Sequence, residues 1–183
     1  MILLIDTHAE LITIALQDND DVYLKQKMSE SSHSIYTMPM IEEIFKESGK
    51  DVKDLKKIIV VNGPGSFTGI RIGLSIAKTM AYALKIDINT ISSLTAYLVS
   101  HNEGTRRKAV IKDNKGYYIS AFDENNNVLV EEYYSEFDNL DLPCVKSTIN
   151  VNKVIDYCSN MKSENPHFIK ANYVKKIEVE NDK

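Results

Sequence analysis

The chain has 183 residues, of which 26 are acidic and 22 basic, and its net charge is −4. This length allows one full domain or two small lobes, and the acidic balance argues against a protein that binds nucleic acid alone. Its apolar runs, such as residues 58–61, are far shorter than the roughly 20 residues that span a bilayer. No basic segment precedes the first apolar run, which ends at Asp6. We therefore expect a cytoplasmic protein without membrane contact.

The first half of the chain predicts three strands followed by alternating helices and strands. Apolar residues recur at helical spacing over residues 35–45 until Gly49, and a second helix follows a glycine-rich turn and reaches Leu84. Ser92 or Ser93 caps a third helix that extends through Ser100. Residues 51–57 predict a short helical connector. The predicted strands are residues 2–6, 11–17, 22–28, 58–61 and 86–91. The first three should form an antiparallel meander, and the fourth should run parallel to its neighbour.

The second half is smaller and less regular. A polar hinge at residues 102–107 precedes predicted strands at 108–111, 117–122 and 128–134, and a short helix at 151–158. We predict two lobes, residues 1–103 and a shortened lobe of residues 104–183. The element order up to residue 91 is the half-domain order of actin-like, or ribonuclease H-like (ASKHA), folds. The prediction is therefore an α/β mixed sheet flanked by helices, with a reduced second lobe.

The glycine-rich turn, GPGSFTG at residues 63–69, lies between a strand and a helix, a geometry that can bind phosphate. It lacks the Gly-Lys pair of a Walker A loop, and its glycines are spaced one residue too far apart for a dinucleotide fingerprint. Two interpretations stay open: a generic anion site or a tight turn that starts the helix. The candidates for phosphate or nucleotide contact are Gly65, Ser66 and Thr68, together with Asp6 and Thr7 at the end of the first strand.

Small residues recur every four positions in the helix after this turn. Each glycine within a helix costs about 1 kcal/mol relative to alanine, which is tolerable where another element packs very closely. Two explanations are open: burial against the chain's own sheet, or a helix–helix interface with another subunit. The stripe consists of Gly69, Gly73, Ala77 and Ala81.

The sequence contains no recognisable catalytic or metal-binding constellation. None of the four histidines stands at metal-ligand spacing, and the two cysteines form no C-x-x-C pair. A nucleophile elbow at Ser66 would need glycine at position 64, where Pro64 stands. We therefore predict no catalytic residue, no metal site and no cofactor of its own.

At this point the sequence resembles the TsaB family, also called YeaZ, over residues 1 to about 100. The matching residues are LIDT at 4–7, SH at 32–33, PMI at 39–41, GPGSFTGIRIG at 63–73 and SSL at 92–94. The resemblance implies a non-catalytic relative of the catalytic subunit TsaD, which it binds through the helices after the third strand and after the glycine turn. By this resemblance the partner or dimer interface comprises Ile35, Gly69, Gly73, Ile76, Ala77 and Met80.

The resemblance further implies a complex in which TsaD and the ATPase TsaE supply the metal and ATP sites. The complex transfers a threonylcarbamoyl group to N6 of the adenosine beside the tRNA anticodon. Homodimerisation through the same helices and only indirect contact with tRNA are implied as well. The second half departs from the family pattern at residues 111–118 and 171–175. An actin-like small-molecule kinase or a nucleotide binder that uses the glycine turn is the alternative.

Overall fold

The structure, a computed structural model, describes residues 1–29 and 32–174. Residues 175–183, the end of the predicted second lobe, lie outside the described residues. Within them, eight strands form two sheets, one of five strands and one of three. No helix of residues 1–29 and 32–174 is both long and apolar enough to cross a membrane.

The first sheet has the strand order β3-β2-β1-β4-β5. Strands β1 to β3 form an antiparallel meander, and β4 and β5 run parallel to β1, which confirms both predictions about strand direction. Its strands are β1 (Ile2–Asp6), β2 (Leu11–Asp18), β3 (Asp21–Met28), β4 (Lys57–Val61) and β5 (Asp87–Ile91). Residues 2–5 of β1 and 58–61 of β4 are continuously apolar because both faces of the sheet are covered.

Helices α1 (His33–Ser48) and α2 (Phe67–Leu84) cover one face of this sheet. They pack on Leu3 and Ile5 of β1 and on the matching alternate residues of β4. Helices α3 (Ser93–Ser100) and α4 (Val151–Ser159) cover the other face. They pack on Leu4 of β1. Since side chains alternate along a strand, two adjacent residues of β1 belong to two different cores.

The residues predicted to begin α3 and to end α1 are confirmed. Ser92 accepts a hydrogen bond from the Thr95 N–H and caps α3. Gly49 ends α1 with φ +68°, a conformation that favours glycine because it has no Cβ. The predicted helical connector is a single 3-10 turn, Val52–Asp54.

The second sheet is an antiparallel meander of β6 (Arg107–Lys112), β7 (Tyr117–Phe122) and β8 (Val128–Ser135). Arg107 is buried and joins this sheet to the end of α3, since its guanidinium donates to the carbonyl oxygens of Leu98, Thr105 and Asp123. A buried cation beside the last turn of a helix is also favoured by the helix dipole.

Residues 162–174, which we call the C-terminal strap, return to the first sheet. The Glu164 N–H donates to the Ile88 carbonyl of β5, and the Asn172 N–H donates to the carbonyl of Asn62. Ile169 is 4% exposed and belongs to the core beneath α1 and α2. The strap therefore completes the first core, whereas the division into lobes at residue 103 stays a prediction.

Candidate functional site

The end of β1 packs directly against the first turns of α2. The Thr7 hydroxyl donates to the Gly69 carbonyl at 2.7 Å. A Cβ at Gly69 would lie 2.0 Å from the Thr7 carbonyl oxygen, and one at Gly73 would lie 2.4 Å from Thr7 Oγ1. Ala77, two turns further along the stripe, is fully buried. The small-residue stripe therefore faces the chain's own sheet.

This packing corrects half of the predicted partner interface. Gly69, Gly73 and Ala77 are buried within the chain and cannot contribute side-chain surface to a partner. The other three candidates lie at the outer surface: Ile35 is 63% exposed, and Ile76 and Met80 are half-buried.

The exposed faces of α1 and α2 enclose two adjoining cavities, of about 590 and 540 Å³. Met38 lines both, Ile76 lines the first and Met80 lines the second. We call this surface the α1/α2 groove. The residues of its first cavity are Ser34, Met38, Phe67, Thr68, Arg71, Ile72, Ser75 and Ile76. Exposed apolar side chains bordered by polar ones, as here, can mark a binding site.

The candidates for phosphate contact do not converge on one cavity. Asp6 and Thr7 are buried, and Asp6 Oδ1 accepts the N–H of His8. The Ser66 N–H donates to the His8 carbonyl at 2.7 Å, and Ser66 Oγ accepts the N–H of Gly69 as the cap of α2. Thr68 lines the α1/α2 groove instead. One N–H group at the N-terminus of α2, that of Gly69, is thus already hydrogen-bonded within the chain.

Gly65 and Ser66 do line a cleft of about 540 Å³ between the two sheets. Tyr97 and Lys112 contribute to its wall. A Cβ at Gly65 would lie 2.3 Å from the His8 carbonyl oxygen, so this glycine is required by close packing of the turn. Nucleotide binding at the cleft stays a prediction.

Sequence reasoning missed a buried chain of three polar side chains beside this cleft. His8 Nδ1 lies 2.6 Å from Asp6 Oδ1, and His8 Nε2 lies 2.7 Å from the Tyr97 hydroxyl. Burial and the nearby Asp6 charge raise the pKa of Tyr97 well above its ordinary value, so its hydroxyl stays protonated. The three side chains therefore form a buried, mutually hydrogen-bonded network in which Tyr97 is protonated.

Among the described residues, no three His, Cys, Asp or Glu side chains lie close enough to hold a metal ion. The cleft and the α1/α2 groove differ in their linings. The cleft is lined by polar and apolar residues from both sheets, whereas the first cavity of the groove is the more apolar of the two.

Glu132 on β8 joins the second sheet to α3 and the C-terminal strap. Its carboxylate accepts hydrogen bonds from the hydroxyls of Ser92 and Thr95 and, at 2.6 Å, from Nδ2 of Asn172. Burial raises the pKa of Glu132, and these three donors offset only part of that effect. The carboxylate is held in place at a cost in solvation.

We expect the free energy of unfolding of Glu132→Gln, relative to that of the parent protein, to increase as pH rises. Because the folded pKa lies above the unfolded value of about 4.3, the parent loses stability as pH rises through this range. Glutamine cannot ionise and avoids that loss. Urea midpoints at about pH 4 and pH 7.5 measure the effect. Glu131→Gln, at the exposed neighbouring position, is the matched control, and a difference that stays constant or shrinks with pH contradicts the prediction.

Comparison with known proteins agrees with this geometry. The five-stranded mixed sheet with helices on both faces, followed by a smaller sheet, is the architecture of the actin-like class. The family model described as "TsaD: tRNA N6-adenosine threonylcarbamoyltransferase" matches residues 24–158. Two solved structures share the fold. YeaZ from Pseudomonas aeruginosa has a TM-score of 0.69 at 21% identity, covering 78% of this chain and 72% of that one.

The second structure, of a protein described as similar to peptidase YeaZ, has a TM-score of 0.78 at 16% identity. It covers 95% of this chain and 99% of that one. Among curated proteins, TsaB of Bacillus subtilis is 41% identical over 51% of this chain and 41% of its own length. TsaB of Buchnera aphidicola from Acyrthosiphon pisum is 27% identical over 95% of this chain and 82% of its own length.

TsaB of Escherichia coli is 30% identical over 69% of this chain and 56% of its own length. These relatives carry the name "tRNA threonylcarbamoyladenosine biosynthesis protein TsaB". The chain belongs to the TsaB (YeaZ) family within the TsaD-type domains. Two of these three matches span only about half the length of the relative.

Proposed function

We propose that this chain is a non-catalytic subunit that binds a TsaD-type subunit through the α1/α2 groove. In the resulting complex it supports transfer of a threonylcarbamoyl group to N6 of the adenosine beside the tRNA anticodon. The observation that carries the proposal is the apolar outer face of α1 and α2, with Ile35 and Met38 exposed next to the cavities. Family membership supplies the reaction in which the complex works.

The shape of the groove favours a helical partner. Helices α1 and α2 have 16 and 18 residues, so they are about 24 and 27 Å long. Two such helices side by side leave a furrow that accepts the ridge of another helix. Ile76 and Met80, one turn apart in the furrow, would serve as central anchors with a polar rim at Ser34 and Arg71.

The non-catalytic role is supported by the way the polar side chains beside the cleft are held. Asp6, His8 and Tyr97 are engaged with one another and buried. We therefore assign ATP hydrolysis to a TsaE-type partner and metal binding to the TsaD-type partner. In isolation the same groove would pair two copies of the chain, so dimerisation and TsaD binding should compete.

Reconstituted tRNA modification tests the proposal. Threonylcarbamoyl transfer is measured with TsaD, TsaE and a TsaC-type synthase from the same organism, with and without this chain. We expect modification to require the chain and the chain alone to be inactive. Equal transfer in its absence, or transfer by the chain without TsaD, would overturn the proposal.

A nucleotide-binding role is the second candidate, because the cleft lined by Gly65, Ser66 and Lys112 is large enough for a small ligand. Calorimetry with ATP and ADP on the isolated chain measures it directly. Heat that saturates in a parent titration and disappears in Lys112→Gln would favour this role. The absence of saturable heat would exclude it.

A further inference from the structure

A basic region lies on α2 and the C-terminal strap, and it adjoins the α1/α2 groove, because Arg71 and Ser75 line both cavities. Residues 66–86 and 165–174 contain none of the chain's 26 acidic residues. They contain four cationic residues, Arg71, Lys78, Lys85 and Lys170. A chain with a net charge of −4 therefore carries a local surface of the opposite sign.

The structure brings these two segments together along one side of α2. Arg71 and Lys78 are seven residues apart, or about 10.5 Å along the same side of a helix. The strap runs beside them, and Lys78 Nζ donates to the Ile169 carbonyl at 3.3 Å. A cavity of about 430 Å³ lies between helix and strap, and we call it the basic groove. Its eight lining residues include three cations and no carboxylate: Arg71, Leu74, Ser75, Lys78, Ile169, Lys170, Ala171 and Tyr173.

Exposed aromatic rings flank the basic groove at both ends. Tyr173 is 52% exposed, and its hydroxyl accepts hydrogen bonds from Nε and Nη2 of Arg71 at 3.1 and 3.0 Å. Tyr82 is 65% exposed and lies edge-to-face with His167 at a centroid distance of 5.0 Å. Aromatic rings interleaved with cations can stack unpaired bases while the cations neutralise phosphates.

We propose that the basic groove binds the phosphate backbone of RNA. Cations alone would suit an acidic peptide equally well, but the exposed tyrosines at both ends favour a nucleic acid. The overall negative charge does not prevent this, because charges further away than about 8 Å are largely screened at physiological ionic strength. The inference rests on the proposed function only in naming the RNA as the tRNA substrate.

Direct binding of an RNA to the full chain tests the proposal. The probe is a fluorescein-labelled anticodon stem–loop, followed by fluorescence anisotropy at several salt concentrations. We expect the double substitution Lys78→Glu with Lys170→Glu to weaken binding at least tenfold. It should also reduce the slope of log K against log salt by about 2, since each lysine that contacts a phosphate contributes about 1.

The matched control is Lys53→Glu with Lys115→Glu, two exposed lysines outside the basic groove, which should change affinity less than twofold. Lys170→Glu alone tests the proposal if the double variant loses its fold, because Lys170 is exposed. No RNA binding by the parent, equal losses in both double variants, or displacement by polyglutamate at lower concentration than by unlabelled RNA overturns it. RNA binding is measured without TsaD. The chain can therefore fail to bind RNA while it still supports tRNA modification, and it can bind RNA without supporting modification.

Discussion

Replacing Gly69 by alanine should destabilise the fold by about 1–3 kcal/mol, the range for overpacking in a well-packed core. The new methyl group would lie 2.0 Å from the Thr7 carbonyl oxygen, so α2 and β1 must move apart. The melting temperature should fall by about 2–12 °C, at roughly 2–4 °C per kcal/mol for a chain of this size.

The sign of this effect makes the test informative. In an exposed helix, glycine to alanine stabilises by up to about 1 kcal/mol, so a loss can arise only from the close contact. Ser75→Ala, at an exposed position of the same helix, is the control and should change stability by less than about 0.5 kcal/mol. An unchanged or higher melting temperature for Gly69→Ala would contradict the packing between α2 and β1.

The second large effect concerns partner binding. We expect Ile35→Lys combined with Met38→Lys to weaken binding of the TsaD-type subunit by at least about 100-fold, because each lysine would place an unpaired charge in the apolar interface beside the anchors Ile76 and Met80, and burying a charge costs several kcal/mol. Both side chains are exposed, at 63% and 39%, so the fold should be retained. Surface plasmon resonance with immobilised partner measures the affinity, and circular dichroism checks the fold.

A matched control comes from the free edge of the first sheet. Leu24 and Met28 on β3 are 51% and 61% exposed, and replacing both by lysine removes two apolar side chains and adds the same charge. This variant should bind the partner normally. If both double variants lose affinity to the same extent, the effect is electrostatic and the α1/α2 groove is not the binding surface.

Much of the fold followed from the sequence because each element carries its own local signal. The apolar runs of β1 and β4, the alternation in β2 and the cap at Ser92 depend on neighbours within a few residues. The glycines of α2 also predicted close packing correctly. They could not show what packs there, because the contact between Thr7 and Gly69 spans 62 residues.

The candidate site was only partly predictable for the same reason. His8 stands alone in the sequence, and its link to Tyr97 spans 89 residues. No periodicity encodes such a contact. Among the interface candidates, the sequence singled out the small-residue side of α2 for the partner, and the use of α1 and α2 as a binding surface stays a prediction. The structure assigns that side to the sheet and leaves Ile35, Ile76 and Met80 outward.

The C-terminal strap has a consequence for synthesis on the ribosome. Ile169 fills part of the core that β1 begins, yet it is translated almost 80 residues after β5 ends at Ile91. At about 5–20 residues per second, that interval lasts roughly 4–16 s. During this interval the C-terminal strap has not been made, and the side of α2 that it covers stays exposed. The first core is therefore completed late in synthesis. A chain that stalls before residue 169 exposes apolar surface to chaperones.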